Sequence, residues 1–291
     1  MNSNLHKKIL GILDSFTYNS LSLDLDITEI ESSAPIPVHS NYDFLLVESA
    51  WFGKNKSWHN KINKKSTELC ELIDWCKSHS IPTVFLAKED PIHFDSFLQT
   101  ASLFDVVFTT DINCISDYKR ALGHTKIYLL PFAFQPKLHH PIEKFKRLKE
   151  ASFAGSYYVR YKERVQDLDR LIDTLKNILP VSIYDRYQDT EDVNYKFPER
   201  FKSLIKGNLP FERIDEAYKG YAFGLNLNTV KNSESMFARR VFEIAASGSI
   251  VISNISPGIK SLFGDLVVCS DDEDEIKERE WERRAAGWVI E

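Results

Sequence analysis

The chain has 291 residues, 43% of them hydrophobic and 27% charged, with a formal net charge of -5. That size supports a sizeable core and two domains, while the acidic balance excludes bulk electrostatic binding to nucleic acid or an anionic membrane. Cys70, Cys76, Cys114 and Cys269 show no CxxC or zinc-ligand spacing and read as reduced thiols of a reducing compartment.

The opening MNSNLHKKILGILDSF has an apolar stretch interrupted by Asp14, too short to span a bilayer and without a small-residue cleavage site. No later stretch reaches transmembrane length, so a cytoplasmic location is expected. KILGIL (8–13) and DFLLVES (43–49) read as strands. KSTELCELIDWCKSHS (65–80) places Leu69, Leu72, Ile73 and Cys76 at helical spacing, and Ile81-Pro82 breaks it before the strand TVFLAKED. Then come a helix SFLQTASLF (96–104), a strand DVVFTTD, a helix SDYKRALG ending at Gly123, and a strand TKIYLLPF.

The polar, basic segment HHPIEKFKRLKE (139–150) reads as a linker. A second series follows: strand ASFAGS, helix 161–179, strand VSIYDR, and a polar irregular stretch from Tyr187 to Pro210. Helix RIDEAYKGY, strand AFGLNLNTV, helix MFARRVFEIAASG, strand SIVISN and the charged helix DDEDEIKEREWERRAAGW complete it. Strand–helix alternation predicts parallel, doubly wound α/β sheets, whose strands are apolar throughout because both faces are covered. Two such domains are expected, residues 1–140 and 150–291.

Ligands of open α/β sheets bind outside the carboxyl ends of the strands, which directs attention to the loops there. In FAGSYYVRYKER (153–164), Gly155, Ser156 and Tyr157 lead into a helix carrying Arg160 and Arg164. Glycine, helix N–H groups and arginine together suit an anion; a plain turn with solvated arginines is the simpler alternative. In SESMFARRVFEIAASG, Ser235 reads as the N-cap of a helix bearing Arg239, Arg240 and Glu243. Arg239 and Glu243 fit a solvated i,i+4 pair, or else Glu243 accepts sugar hydroxyls while an arginine holds a diphosphate. In KEDPIHF, Asp90 and His93 suit an acid/base pair at a strand end, against a surface histidine. In ESAWFGKNKSWHN, Trp51, Phe52 and Trp58 either pack locally or form a platform for a sugar. No motif points to a metal, and the acidic run DDEDE (271–275) lacks calcium-loop spacing.

An ordered set of stretches carries a resemblance: LDSFT, DFLLVESAWFGKNKSWHNKI, WCKSHSIPTVFLAKEDPIHFDSFLQTASLFDVVFTTD, YLLPFAFQP, ASFAGSYYVRYKER and MFARRVFEIAASGSIVISN. Over nearly its whole length the chain resembles the CgeB-like bacterial glycosyltransferase family of the GT-B superfamily. The resemblance implies two Rossmann-like domains facing across a cleft. It implies metal-independent transfer of a sugar from a nucleotide-sugar donor, with no other cofactor, to a glycan or small-molecule acceptor. On that basis Gly155, Ser156, Tyr157, Arg160, Asn228, Arg240 and Glu243 bind the donor, Asp90, His93 and Arg239 are catalytic, and Phe16, Trp51 and Trp58 lie on the acceptor side.

Retaining relatives carry a Glu-x7-Glu motif. Glu243 matches its second position, but Ser235 stands at the first and Glu234 is one residue off. The resemblance implies a terminal return helix to the first domain, and with the sequence stopping at GWVIE its lack is an expectation. No nucleic-acid partner is expected. Peripheral association with membrane-bound glycan machinery and residence in a larger protein are further expectations. A non-catalytic glycan-binding module and a sugar-nucleotide epimerase remain alternative readings.

Overall fold

The computed structural model describes residues 7–37, 39, 41–142 and 146–285. Residues 143–145 of the expected linker, the opening residues 1–6 and the terminal stretch 286–291 lie outside the described residues. The chain divides into two units, Met1–Pro131 and Phe132–Glu291.

In the first unit, β1 (Lys8–Ile12), β2 (Asp26–Glu29), β3 (Phe44–Glu48), β4 (Thr83–Ala87), β5 (Val106–Thr109) and β6 (Ile127–Leu129) form one sheet in the order β2-β1-β3-β4-β5-β6. Every pairing is parallel. Helices α1 (Ser15–Leu21), α2 (Thr67–Ser78), α3 (Phe94–Ala101) and α4 (Cys114–Leu122) cross between strands. Ser66 caps α2 by accepting the Leu69 N–H, and Leu69, Leu72, Ile73 and Cys76 bury one stripe of it against Leu45, Val47 and Phe85. Each such aliphatic side chain contributes about 1.5–3 kcal/mol when buried. Gly123 ends α4 at φ +71.

The second unit repeats the plan with β7 (Leu148–Gly155), β8 (Val181–Asp185), β9 (Ile205–Gly207), β10 (Tyr221–Asn226), β11 (Ile250–Ser253) and β12 (Val267–Cys269). Its order is β12-β11-β10-β7-β8-β9, again parallel. Helices α5 (Lys162–Lys176), α6 (Glu216–Lys219), α7 (Arg240–Ala246), α8 (Pro257–Phe263) and α9 (Glu273–Ala285) complete it. All residues of β10 and β11 are buried, as expected of central parallel strands.

Several expectations need correction. The helix Ser15–Leu21, β2, α8 and β12 are elements that the sequence pattern did not reveal. Residues 148–150 of the linker belong to β7, and His139 is buried with its ring 5.9 Å from Tyr218. The stretch 187–210 contains the edge strand β9. The helix expected from Met236 begins only at Arg240, and Ser235 is not its cap. Ser233 Oγ takes the N–H groups of Ser235 and Met236, and Asn228 Oδ1 takes that of Ala238, so these donors are satisfied outside a helix. Among the described residues, no helix is long and apolar enough to cross a membrane.

Candidate functional site

In the second sheet the chain runs outward from β7 through β8 to β9, then returns to pair β10 with β7. The strand order reverses between β7 and β10, and open α/β sheets bind ligands at the carboxyl ends beside such a reversal. β7 ends at Gly155 there. A Cβ on Gly155 would stand 2.7 Å from the Phe153 ring and 2.9 Å from Arg240 Nη2. Only glycine therefore lets this strand end and the Arg240 guanidinium come together.

Arg240 lies over the Phe153 ring at 5.1 Å. Arg164 projects from α5 and is only 7% exposed. Its Nη1 donates to the Ser156 carbonyl at 2.9 Å, and its guanidinium covers the Tyr158 ring at 5.0 Å. Among the described residues, neither Arg164 nor Arg240 enters an ion pair. Burial, then the neighbouring Arg240 charge, pushes Arg164 down to about 10, and Arg186 adds to the effect. Ser156 Oγ is buried without a hydrogen-bond partner. A buried guanidinium beside a half-buried one, without a carboxylate, is an unfavourable arrangement that an anion relieves. Arg160 sits outside this pair, over the Tyr161 ring at 4.8 Å.

The other expected donor residues fall differently. Tyr157 is buried and its hydroxyl donates to Asp169 at 3.1 Å, so its ring belongs to the core beside Phe197 rather than to a ligand. Asn228 is buried in a closed network. Its side-chain N–H groups reach Ser253 Oγ at 3.1 Å and Asn254 Oδ1 at 3.0 Å, while its Oδ1 accepts from Asn226 and Ala238. With every polar atom engaged it ties strand ends together and is no donor ligand. Glu243 is buried rather than on a solvated face. Its Oε2 accepts the Tyr218 hydroxyl at 3.2 Å, and its Oε1 lies 4.0 Å from Arg239 Nε. Arg239 covers the Phe132 ring at 5.1 Å.

Sequence reasoning passed over Asp167, which accepts from Asn254, Lys231 and Arg170 at 2.9, 2.9 and 2.6 Å. A signal was present. Arg164, Asp167, Leu168, Leu171, Ile172 and Leu175 form one helical stripe, so the apolar face of α5 turns charged at its first turns. Asp271 likewise binds Lys231 and Arg170, so the acidic run at 271–275 is not merely solvated.

In the first unit the strand order reverses between β1 and β3. Asp14 follows β1 and accepts the N–H groups of Trp51, Phe52 and Gly53 at 3.1, 3.0 and 2.9 Å. Lys88 joins Asp14 at 3.0 Å and the fully buried Glu48 at 3.1 Å. Burial alone would lower Lys88, but Glu48 and Asp14 outweigh it and hold it above its ordinary value. Asp90 and His93 do not pair. Asp90 is buried, with Thr109 donating to one oxygen at 2.6 Å and Tyr118 to the other at 3.2 Å. Burial pushes it up to about 7 against the pull of those hydrogen bonds. His93 instead meets the Trp51 ring edge-on at 4.8 Å. Trp58 is no acceptor platform: it is 1% exposed and its Nε1 donates to the Ile30 carbonyl at 2.8 Å. Phe16 is half-buried in the first turn of α1.

Two doubly wound parallel sheets, one in each unit, define a two-domain Rossmann-like α/β fold. Residues 143–283 match the family described as glycosyl transferase-like. Over 197 residues the chain is 24% identical to the spore protein CgeB of Bacillus subtilis strain 168, a match covering 63% of this chain and 59% of CgeB. The chain thus spans about three fifths of that relative's length. Anabaena HepE in complex with UDP and glucose shares 12% identity at a TM-score of 0.56, over 97% of this chain and 83% of HepE. An α-glucosyltransferase in complex with UDP and a mismatched DNA shares 13% identity at a TM-score of 0.54, over 97% and 90%. These matches show a likeness to glycosyl transferase-like proteins and to CgeB.

Proposed function

We propose that the protein transfers a sugar from a nucleotide diphosphate sugar to a glycan or other acceptor, without a metal. The observation that carries this reading is the pair of buried or half-buried guanidinia, Arg164 and Arg240, held without carboxylates beside Gly155 at the β7–β10 reversal. When the bond between sugar and diphosphate breaks, negative charge grows on the leaving phosphate. Fixed cations in a desolvated site stabilise that charge without reorganising. Arg239, beside Glu243, adds a third cation, and Arg160 adds a fourth. Glu243 Oε1 accepts a ribose hydroxyl in this scheme. Its match to the second glutamate of retaining relatives supports retention of anomeric configuration, which product NMR would test. Trp51 and His93 flank the acceptor. Asp90, held by Thr109 and Tyr118 and raised to about 7 by burial, is the proton-exchanging group of the first unit in this scheme.

The test is calorimetry with UDP, GDP, CDP, ADP and TDP, with and without EDTA. One of them binds, and EDTA leaves the affinity unchanged. Failure of all five to bind a folded protein sinks the transferase reading. A glycan-binding module is the second reading, favoured by Ser235 where the motif needs a glutamate. It predicts glycan binding with no nucleotide binding.

A further inference from the structure

The segment KNKSWHNKINKK (54–65) carries five lysines and a histidine and no acidic residue, in a chain of net charge -5. It leaves the carboxyl end of β3, beside the β1–β3 reversal, where an open α/β sheet receives ligands. Among the described residues, only Lys61 of the five is paired, with Glu68. Lys54, Lys56, Lys64 and Lys65 are exposed and enter no ion pair. Phe52, also exposed at 47%, stacks on the exposed His59 with ring centroids 5.2 Å apart and planes 15° from parallel. An exposed aromatic pair and four exposed lysines outside any ion pair thus share one loop.

This loop does not behave as slack surface chain. The Asp14 carboxylate holds its start through three N–H groups. Trp58 plugs it into the core, and Ser57 accepts two hydrogen bonds from Ser32, at its Oγ and its carbonyl. Gly53 takes φ +62, and a Cβ there would meet Trp58 Cδ1 at 2.7 Å. Asn55, Lys56, Asn60 and Lys65 all adopt positive φ, between 51° and 59°. Asn55 and Asn60 adopt it readily, whereas Lys56 and Lys65 hold it because their surroundings impose it. The anchors point inward and the lysines outward, so the backbone is fixed while the cations remain free.

We infer that this loop is a binding face for an acidic glycan: sugar rings stack on the Phe52–His59 pair while anionic substituents meet Lys54, Lys56, Lys64 and Lys65. Under the transferase reading proposed above, on which this extension rests, that glycan is the acceptor. An apolar acceptor would gain nothing from four unpaired ammonium groups. A polyanion without rings would gain nothing from the stacked aromatics.

The experiment measures binding of the whole chain to three probes by calorimetry: a short oligogalacturonate, its fully methyl-esterified neutral form, and inorganic polyphosphate. The oligogalacturonate is expected to bind and the ester to bind at least about tenfold more weakly, with affinity falling as salt screens the lysines. Lys54→Gln/Lys56→Gln is expected to weaken oligogalacturonate about tenfold, and Phe52→Ala about fivefold. Phe52→Ala should leave polyphosphate binding unchanged. These exposed substitutions spare the core, and a melting curve confirms folding. Equal binding of acid and ester overturns the proposal, as does no binding of either. Polyphosphate binding as tightly as oligogalacturonate, with Phe52→Ala inert on both, reduces the loop to a general cation patch and also overturns it. Nucleotide binding, measured on the same variants, is expected to stay at the wild-type level. Its absence in the wild-type protein would sink the transferase reading while leaving the acidic-glycan face intact.

Discussion

Arg164 Nη1 donates to the Ser156 carbonyl at 2.9 Å, and this bond points a buried guanidinium along the end of β7 without giving it a counter-charge. The cost of that isolation is borne by the apo protein and relieved when an anion arrives. Arg164→Met should therefore leave the apo protein no less stable, because an uncompensated charge is replaced by an apolar chain of similar length. It should weaken nucleoside diphosphate binding about tenfold to hundredfold, the value of a charge-assisted hydrogen bond. Melting curves and calorimetry on one preparation read both effects. A marked loss of apo stability would assign Arg164 a structural role instead.

Trp58 should matter to stability. Its ring is buried and its indole N–H is satisfied by Ile30. Trp58→Ala is expected to cost about 3–5 kcal/mol in denaturant unfolding, the range for emptying a large aromatic site. Trp58→Phe should cost less, chiefly the lost hydrogen bond and the Ile30 carbonyl left without it. A change below about 1 kcal/mol for Trp58→Ala would return Trp58 to the surface.

Asp90 gives the first unit a signature in pH. Its folded value of about 7 lies above the ordinary 3.8. The neutral carboxyl is thus favoured by the fold, and its contribution is complete below pH 3.8 and is lost as pH rises through about 7. Asp90→Asn cannot ionise, so its stability profile should be flatter between those limits than the wild type's. Parallel profiles for the two proteins would show that Asp90 is ionised at its ordinary value in the fold.

The Asp14 carboxylate should govern the motion of the loop it holds. Asp14→Ala leaves the N–H groups of Trp51, Phe52 and Gly53 and the Lys88 ammonium without their shared acceptor. Hydrogen exchange at those three amides is expected to accelerate while the strands of the first sheet stay protected. Unchanged exchange at residues 51–53 would mean that Trp58 alone holds the loop.

The sequence by itself determined most of the scaffold. Apolar runs of strand length alternate with helical stripes such as Leu69, Leu72, Ile73 and Cys76, and that alternation admits little but parallel doubly wound sheets. Gly155, Arg239 and Arg240 also stand out in the sequence, because glycine and paired arginines after a strand leave a local signature. Short elements such as β2, β12 and the late start of α7 escaped it, since a few tertiary hydrogen bonds decide them rather than periodicity.

Which polar side chains are spent on the fold and which remain for a ligand was decided only by the tertiary structure. Asn228, Tyr157 and Trp58 look chemically able in one dimension, yet partners distant in sequence consume their donors and acceptors: Asn254, Asp169, and Ile30. Arg164 is the reverse case. In sequence it suits either an anion or plain solvent, and burial beside Arg240 without a carboxylate is what favours the anion. Hydrogen-bond satisfaction and desolvation are sums over neighbours in space, and no local pattern along the chain contains them.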